Sequence, residues 1–344
     1  MRAAIFHEIG KPLTIGDVPD PEPGDGDLIL KVSHCGICGS DLHSTEAGLM
    51  TLPGGSVMGH EFSGEIVAVG RNTQGWKVGQ KVAAMPVITC GVCPPCVRGE
   101  AYACDKVTTV GLGQSSGAYA DFVRVGARDS VLLPQSVSLL EGALIEPLAV
   151  GYHAVEMSGL RPGGNVLIIG AGPVGLAVTL FSRFVGARHI IVSERSDGRA
   201  KMAAKFGATD IVNASEDVMA QFRKKTGTVP DIIFECVGVP GMISDCMKMA
   251  PRGGKIVVAG VCSKPDTILP LMGIMKEITL QFVLAYRKRD FEMIAGWMAA
   301  DRIDAQAMVT DTVGFADFPQ AFEALRTPSH QCKVMLRPGL GFNV

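Results

Sequence analysis

The run Gly170-Ala171-Gly172-Pro173-Val174-Gly175 constrains this chain more than any other stretch. It fits G-x-G-x-x-G, follows the apolar Val166-Leu167-Ile168-Ile169, and opens a helical pattern that reaches Val185. In that strand–turn–helix context each glycine has a task. The first makes the tight turn, the second lets a pyrophosphate approach the backbone, and the third lets helix and strand pack closely. The helix N-terminus turns free N–H groups and a positive dipole end toward the phosphates. An acid is expected at the end of the next strand, about 20 residues further on. Glu194 stands there, closing His189-Ile190-Ile191-Val192-Ser193. A carboxylate in that position accepts both ribose hydroxyls and repels a 2′-phosphate. Arg195 follows it and Arg199 is near, and an arginine there can hold a 2′-phosphate. Neighbouring side chains on an extended segment point to opposite sides, so only one of Glu194 and Arg195 faces the ribose. The reading adopted is Glu194 with NAD as cofactor.

The fingerprint belongs to a chain of 344 residues, long enough for two domains. After Pro162-Gly163-Gly164, strand-like stretches at 166–169, 189–194, 210–212, 231–235 and 255–259 alternate with helical ones. A last strand is expected over 277–285. Such alternation builds a parallel sheet covered on both faces. Residues 1–150 instead read mostly as β, with apolar stretches at 28–32, 62–69, 81–85 and 120–125 set off by Gly, Pro, Asp and Asn clusters. The tail carries helical patterns near 290–300 and 318–326. The fold class is therefore α/β.

Composition narrows the partners. A net charge of −2 argues against nucleic acid bound through a basic face. The longest apolar runs fall far short of the about 20 residues needed to cross a bilayer. The N-terminus lacks the apolar core of a signal peptide, so a cytoplasmic protein with no membrane partner is expected.

Six of the ten cysteines fall in the first third of the chain, in two groups. Cys90, Cys93, Cys96 and Cys104 form C-x2-C-x2-C-x7-C. Four thiolates in one short loop suit a closed tetrahedral zinc with no open position for chemistry, with an iron–sulfur cluster as the lesser alternative. The other group is dispersed: Cys35-Gly36-Ile37-Cys38-Gly39-Ser40-Asp41-Leu42-His43, then Gly59-His60-Glu61, then Glu146-Pro147. A catalytic zinc takes about three protein ligands and keeps one position open. Cys, His and Glu from three separated segments can supply them. Spacing alone does not choose between Cys35 and Cys38, and C-x-x-C can equally be a redox pair. Asp41 would accept a hydrogen bond from a ligating imidazole and fix its tautomer.

These stretches, with Phe62-Ser63-Gly64-Glu65 and Ile145-Glu146-Pro147-Leu148-Ala149-Val150, resemble the zinc-containing medium-chain dehydrogenase/reductase family, the alcohol and polyol dehydrogenases. The resemblance runs over essentially the whole chain. It implies a GroES-like β domain over 1–151 and 286–344, and a doubly wound Rossmann domain over 152–285. It also implies a catalytic zinc between them, beside a structural zinc in the four-cysteine loop. It selects Cys38 as first ligand and His60 as second. At the third ligand position the family's alcohol dehydrogenases carry Cys, whereas this chain has Glu146, which resembles the polyol, butanediol and threonine dehydrogenase branch. In that branch the residue corresponding to Glu61 can also approach the metal. Ser40 would sit beside the reacting oxygen and His43 nearer solvent, a pair able to relay a proton outward.

The reaction so implied interconverts a secondary alcohol (a diol, polyol or cyclic alcohol) and its ketone, with L-threonine or a sugar as alternative substrates. A homo-oligomer is expected, a tetramer ahead of a dimer. The rival from another class is a non-catalytic zinc and nucleotide binder that senses redox state through Cys35 and Cys38.

Overall fold

The computed structural model describes residues 1–48, 50–327 and 331–341. The chain divides into two compact units, Met1–Glu146 with Arg287–Val344, and Pro147–Tyr286. The family resemblance places the first junction slightly later, at 151/152.

Pro147–Tyr286 is built on six parallel strands: Asn165–Ile169, His189–Glu194, Asp210–Asn213, Ile232–Glu235, Lys255–Val258 and Thr279–Phe282. Counted along the chain they lie in the order 3-2-1-4-5-6, the doubly wound arrangement of dinucleotide-binding sheets. Val166, Leu167, Ile168, Ile191 and Val192 are fully buried. Near-continuous aliphatic runs belong to strands covered on both faces, which is why these segments show no alternation. The last strand is shorter than its apolar pattern. Glu277 takes φ 53° as it ends the helix Pro270–Lys276, and Ala285 takes φ 59°, so the extended ladder holds only between them.

In the other unit the strand Asp27–Gly36 is the spine. It pairs antiparallel with Glu61–Val69, Phe122–Gly126 and Lys333–Leu336. The last of these comes from the tail and sets Met335 opposite Gly36 and Leu336 opposite Cys35. Leu28, Leu30, Phe62, Ile66, Val123, Val125 and Leu336 fill the core beneath.

One element contradicts the sequence pattern. Leu139–Ser158 is a helix, although residues up to 150 suggest β structure. Residues 142–149 are all buried, Glu146 among them, so this stretch is enclosed around its whole circumference and shows no amphipathic period. Pro147 inside it further obscures the signal.

Candidate active site

The spine strand ends at Gly36, and the chain turns through Ile37 and Cys38 into the short helix Gly39–Ser44. Cys38 is extended at the head of that helix, and its N–H donates to Asp41 Oδ2 at 3.0 Å. The neighbouring strand sets Glu61 opposite Gly36 and Phe62 opposite Cys35. The ladder thereby brings His60 and Glu61 against the Cys35–Cys38 turn. The thiol of Cys38, a ring nitrogen of His60 and a carboxylate oxygen of Glu61 lie within 4.8 Å of one another. A thiolate, an imidazole and a carboxylate form a donor set suited to zinc. Glu146 is buried in the helix Leu139–Ser158 and stays outside that 4.8 Å group.

Ser40 Oγ lies 3.5 Å from His60 Nε2, so its hydroxyl stands at the ligand cluster. His43, one helical turn along, is a third exposed, with Nδ1 3.8 Å from Glu46 Oε2. The two therefore run from the cluster toward solvent. On the far side of His60, Nδ1 lies 3.2 Å from Asp41 Oδ1. Burial by itself lowers the His60 pKa, but the Asp41 carboxylate outweighs it and the net direction is well up. Asp41 Oδ2 also accepts the hydroxyl proton of Tyr119 at 2.5 Å.

Sequence reasoning missed Lys333. Its ammonium donates to both oxygens of Glu61, at 2.7 and 2.5 Å, and to the carbonyl of Ile37 at 3.0 Å. Both partners are almost wholly buried. Burial lowers the Lys333 pKa and the Glu61 charge more than restores it, so the ammonium stays protonated. Gly36 makes the pair possible, since a Cβ there would overlap the Glu61 carboxylate and crowd Lys333 Cδ. The one sequence signal was a lone charge beside the apolar run Val334-Met335-Leu336. Tyr119 was missed as well, and nothing in its local sequence marks it.

Cys35 is fully buried, and burial, followed by the charges of Asp41 and Glu61, pushes its thiol pKa well up. A thiol held protonated is a poor nucleophile, which disfavours Cys35 as the attacking member of a Cys35–Cys38 redox pair.

The four-cysteine group closes as a loop. Cys93 caps the turn Pro94–Val97, and Ala101–Ala103 delivers Cys104. The four thiols lie within 4.8 Å of one another, with Cys90 Sγ 3.6 Å from Cys104 Sγ and 4.0 Å from Cys96 Sγ. A tetrahedron of Zn–S bonds of about 2.3 Å has edges of about 3.8 Å, so the loop fits zinc. Backbone N–H groups of Val92 and Cys93 hold the Cys90 thiol down to about 6, while burial pushes Cys96 up to about 12.

In the other unit, Pro173 occupies the first turn of the helix Pro173–Val185, with Gly172 as its cap. A Cβ at Gly175 would strike the Gly170 carbonyl, whereas nothing lies within 4 Å of one at Gly172, where a phosphate would approach. Val174 lies in the first turn of that helix. Glu194 Oε2 accepts the Ala171 N–H at 2.8 Å, and Oε1 accepts those of Arg195 and Ser196 at 2.7 and 2.9 Å. The carboxylate is thus pinned beside the glycine turn. Arg195 is exposed, and the Arg199 N–H caps onto Ser196 Oγ.

Residues 24–135 match the alcohol dehydrogenase GroES-like domain, and residues 173–300 match the zinc-binding dehydrogenase family. The chain belongs to the zinc-type medium-chain dehydrogenases. Sorbitol dehydrogenase of Bacillus subtilis (strain 168) is 32% identical over 345 residues, covering 98% of this chain and 97% of that one. The crystal structure of 2R,3R-butanediol dehydrogenase from Bacillus subtilis superposes with a TM-score of 0.86 at 30% identity, over 98% and 99% of the two chains. A zinc-binding dehydrogenase from Sinorhizobium meliloti 1021, solved with NADP, does so with 0.87 at 28%, again over 98% and 99%. This zinc-type dehydrogenase is therefore an enzyme that interconverts alcohol and ketone with zinc and a nicotinamide cofactor. Among the described residues no helix is long and apolar enough to cross a membrane.

Proposed function

We propose that this dehydrogenase interconverts small secondary alcohols, vicinal diols and polyols foremost, and their ketones, using NAD and two zinc ions per chain. The gathering of Cys38, His60 and Glu61 within 4.8 Å, with the Ser40 hydroxyl at its edge, carries the reading. When bound, zinc supplies Lewis acidity toward the alcohol oxygen and NAD supplies the hydride acceptor. Cys38 and His60 hold the first zinc. Glu61 is committed to Lys333 through both oxygens, which favours Glu146 as third ligand at rest, with Glu61 as its alternate. The four thiols of Cys90, Cys93, Cys96 and Cys104 hold the second zinc. Ser40 accepts the substrate proton and donates onward, and His43 passes it to solvent.

A carboxylate in place of a third thiolate makes the metal shell harder and more oxygen-rich, which suits a second oxygen from the substrate. The adjacent hydroxyls of a vicinal diol or polyol would supply that second oxygen. The sorbitol and butanediol names of the relatives agree with this. Glu194, fixed beside the glycine turn, supports NAD, with Arg195 and Arg199 as flanking contacts. Five of the ten cysteines, Cys38 and the four of the loop, are committed to the two metal sites rather than to disulfides, which suits a reducing cytoplasm. Self-association into a dimer or tetramer is supported by the outermost strand Thr279–Phe282. Phe282 at its end, Leu284 just after it, and Ile274 and Met275 on the preceding helix Pro270–Lys276 are largely exposed.

The test compares kcat/KM for 2,3-butanediol, sorbitol, cyclohexanol and ethanol with NAD. Diol or polyol is expected to lead. A wide lead for cyclohexanol refutes the two-oxygen argument, and a lead for ethanol refutes the secondary-alcohol assignment.

A further inference from the structure

Tyr119 is fully buried, and its hydroxyl points at Asp41 rather than at water. Asp41 Oδ2 lies 2.5 Å away and the Gly36 carbonyl 3.3 Å away, so the single hydroxyl proton goes to the carboxylate. The same Oδ2 receives the Cys38 N–H. Two donors thus fix one oxygen of the carboxylate and leave Oδ1 aimed at His60 Nδ1. Those two atoms are 3.2 Å apart, an ion-pair contact, and neither makes a hydrogen bond to any other group. A carboxylate fixed this close to Nδ1 restricts how the imidazole can present Nε2.

The ring of Tyr119 is itself clamped. Its centroid lies 4.7 Å from that of Phe318, in a tilted contact, and 6.4 Å from that of Phe322, edge-on. Its backbone N–H donates to the Met58 carbonyl, and the Ala118 N–H to that of Gly59, immediately before His60. The hydroxyl therefore sits on a rigid mount tied to the loop it steadies.

We propose that Tyr119 is a positioning residue of the metal centre: through Asp41 it sets the bearing of His60 and slows loss of the active-site zinc. The proposal rests on Cys38 and His60 being zinc ligands. Tyr119→Phe removes one oxygen and keeps the ring contacts. Removing groups that orient a metal-bound histidine typically costs about 10–100-fold in metal affinity, and Tyr119 acts one step further out. About tenfold faster release is expected on that scale.

The experiment follows zinc release from the holoenzyme into a chelator, read with a colorimetric zinc indicator. Wild type should release two zinc ions in two phases. Tyr119→Phe should accelerate the active-site phase about tenfold and leave the four-cysteine phase unchanged. In an Asp41→Asn background the same substitution should add nothing. Replacing the active-site zinc by cobalt(II) gives a second reading, in which the visible d–d bands of Tyr119→Phe should shift. Release within about twofold of wild type, unshifted cobalt bands, or equal acceleration in the Asp41→Asn background each overturn the role of Tyr119 while leaving the zinc site standing. A wild-type protein holding a single zinc overturns the ligand assignment, and the proposal with it.

Discussion

In the zinc-free protein, replacing Lys333 by Met leaves the Glu61 carboxylate buried without its counter-charge. The ammonium makes three bonds, two to Glu61 and one to the Ile37 carbonyl. Side-chain exposures of 1% and 2% mean that water cannot take its place. Removing one member of such a pair costs about 3–5 kcal/mol, against about 0.2–1 for an exposed pair. For a unit of this size each kcal/mol moves the midpoint by about 2–4 °C, so a fall of about 6–20 °C is expected.

The partner substitution closes the cycle. Lys333→Met with Glu61→Gln removes both charges and should recover most of the loss, because the stranded charge, not the missing attraction, dominates the cost. The pH dependence has a definite sign. The folded pKa of Lys333 is raised, so its contribution is fully present below the unfolded value of about 10.4 and lost only as pH climbs through the folded one. The gap between wild type and Lys333→Met should therefore stay flat from about pH 7 to 9. Thermal melts and urea denaturation, both followed by circular dichroism, measure all of this. A single-variant loss under about 1 kcal/mol, or a double variant no more stable than the single, refutes the reasoning.

Loss of the two zinc ions should differ in consequence. Cys93→Ser should lower stability and remove one equivalent of zinc, whereas Cys38→Ala should give a folded, inactive enzyme, both read by metal analysis with thermal melts. Glu194→Ala should weaken NAD and narrow its advantage over NADP. A wild type with the higher kcat/KM on NADP would make Arg195 the ribose reader instead.

Local spacing alone makes much of this protein legible. The glycine fingerprint, the acid at the end of the next strand and the four-cysteine loop are short-range patterns in which the chemistry fixes residue type and separation together. Gly170, Gly172 and Gly175 work within one turn, and Cys90 to Cys104 within one loop. Cys38 and His60 are legible only with the family resemblance, because the ladder between two strands, not sequence distance, brings them together. The supports behind them needed the tertiary structure. Lys333 meets Glu61 across 272 residues and Tyr119 meets Asp41 across 78. A lysine or a tyrosine carries no sign in its own neighbourhood that its polar end will be sealed from water. The helix around Glu146 is hidden for a related reason: a segment buried on every side has no period to read. Only the closing of the tail strand onto the spine strand buries the Lys333 ammonium, and once buried it must find a carboxylate.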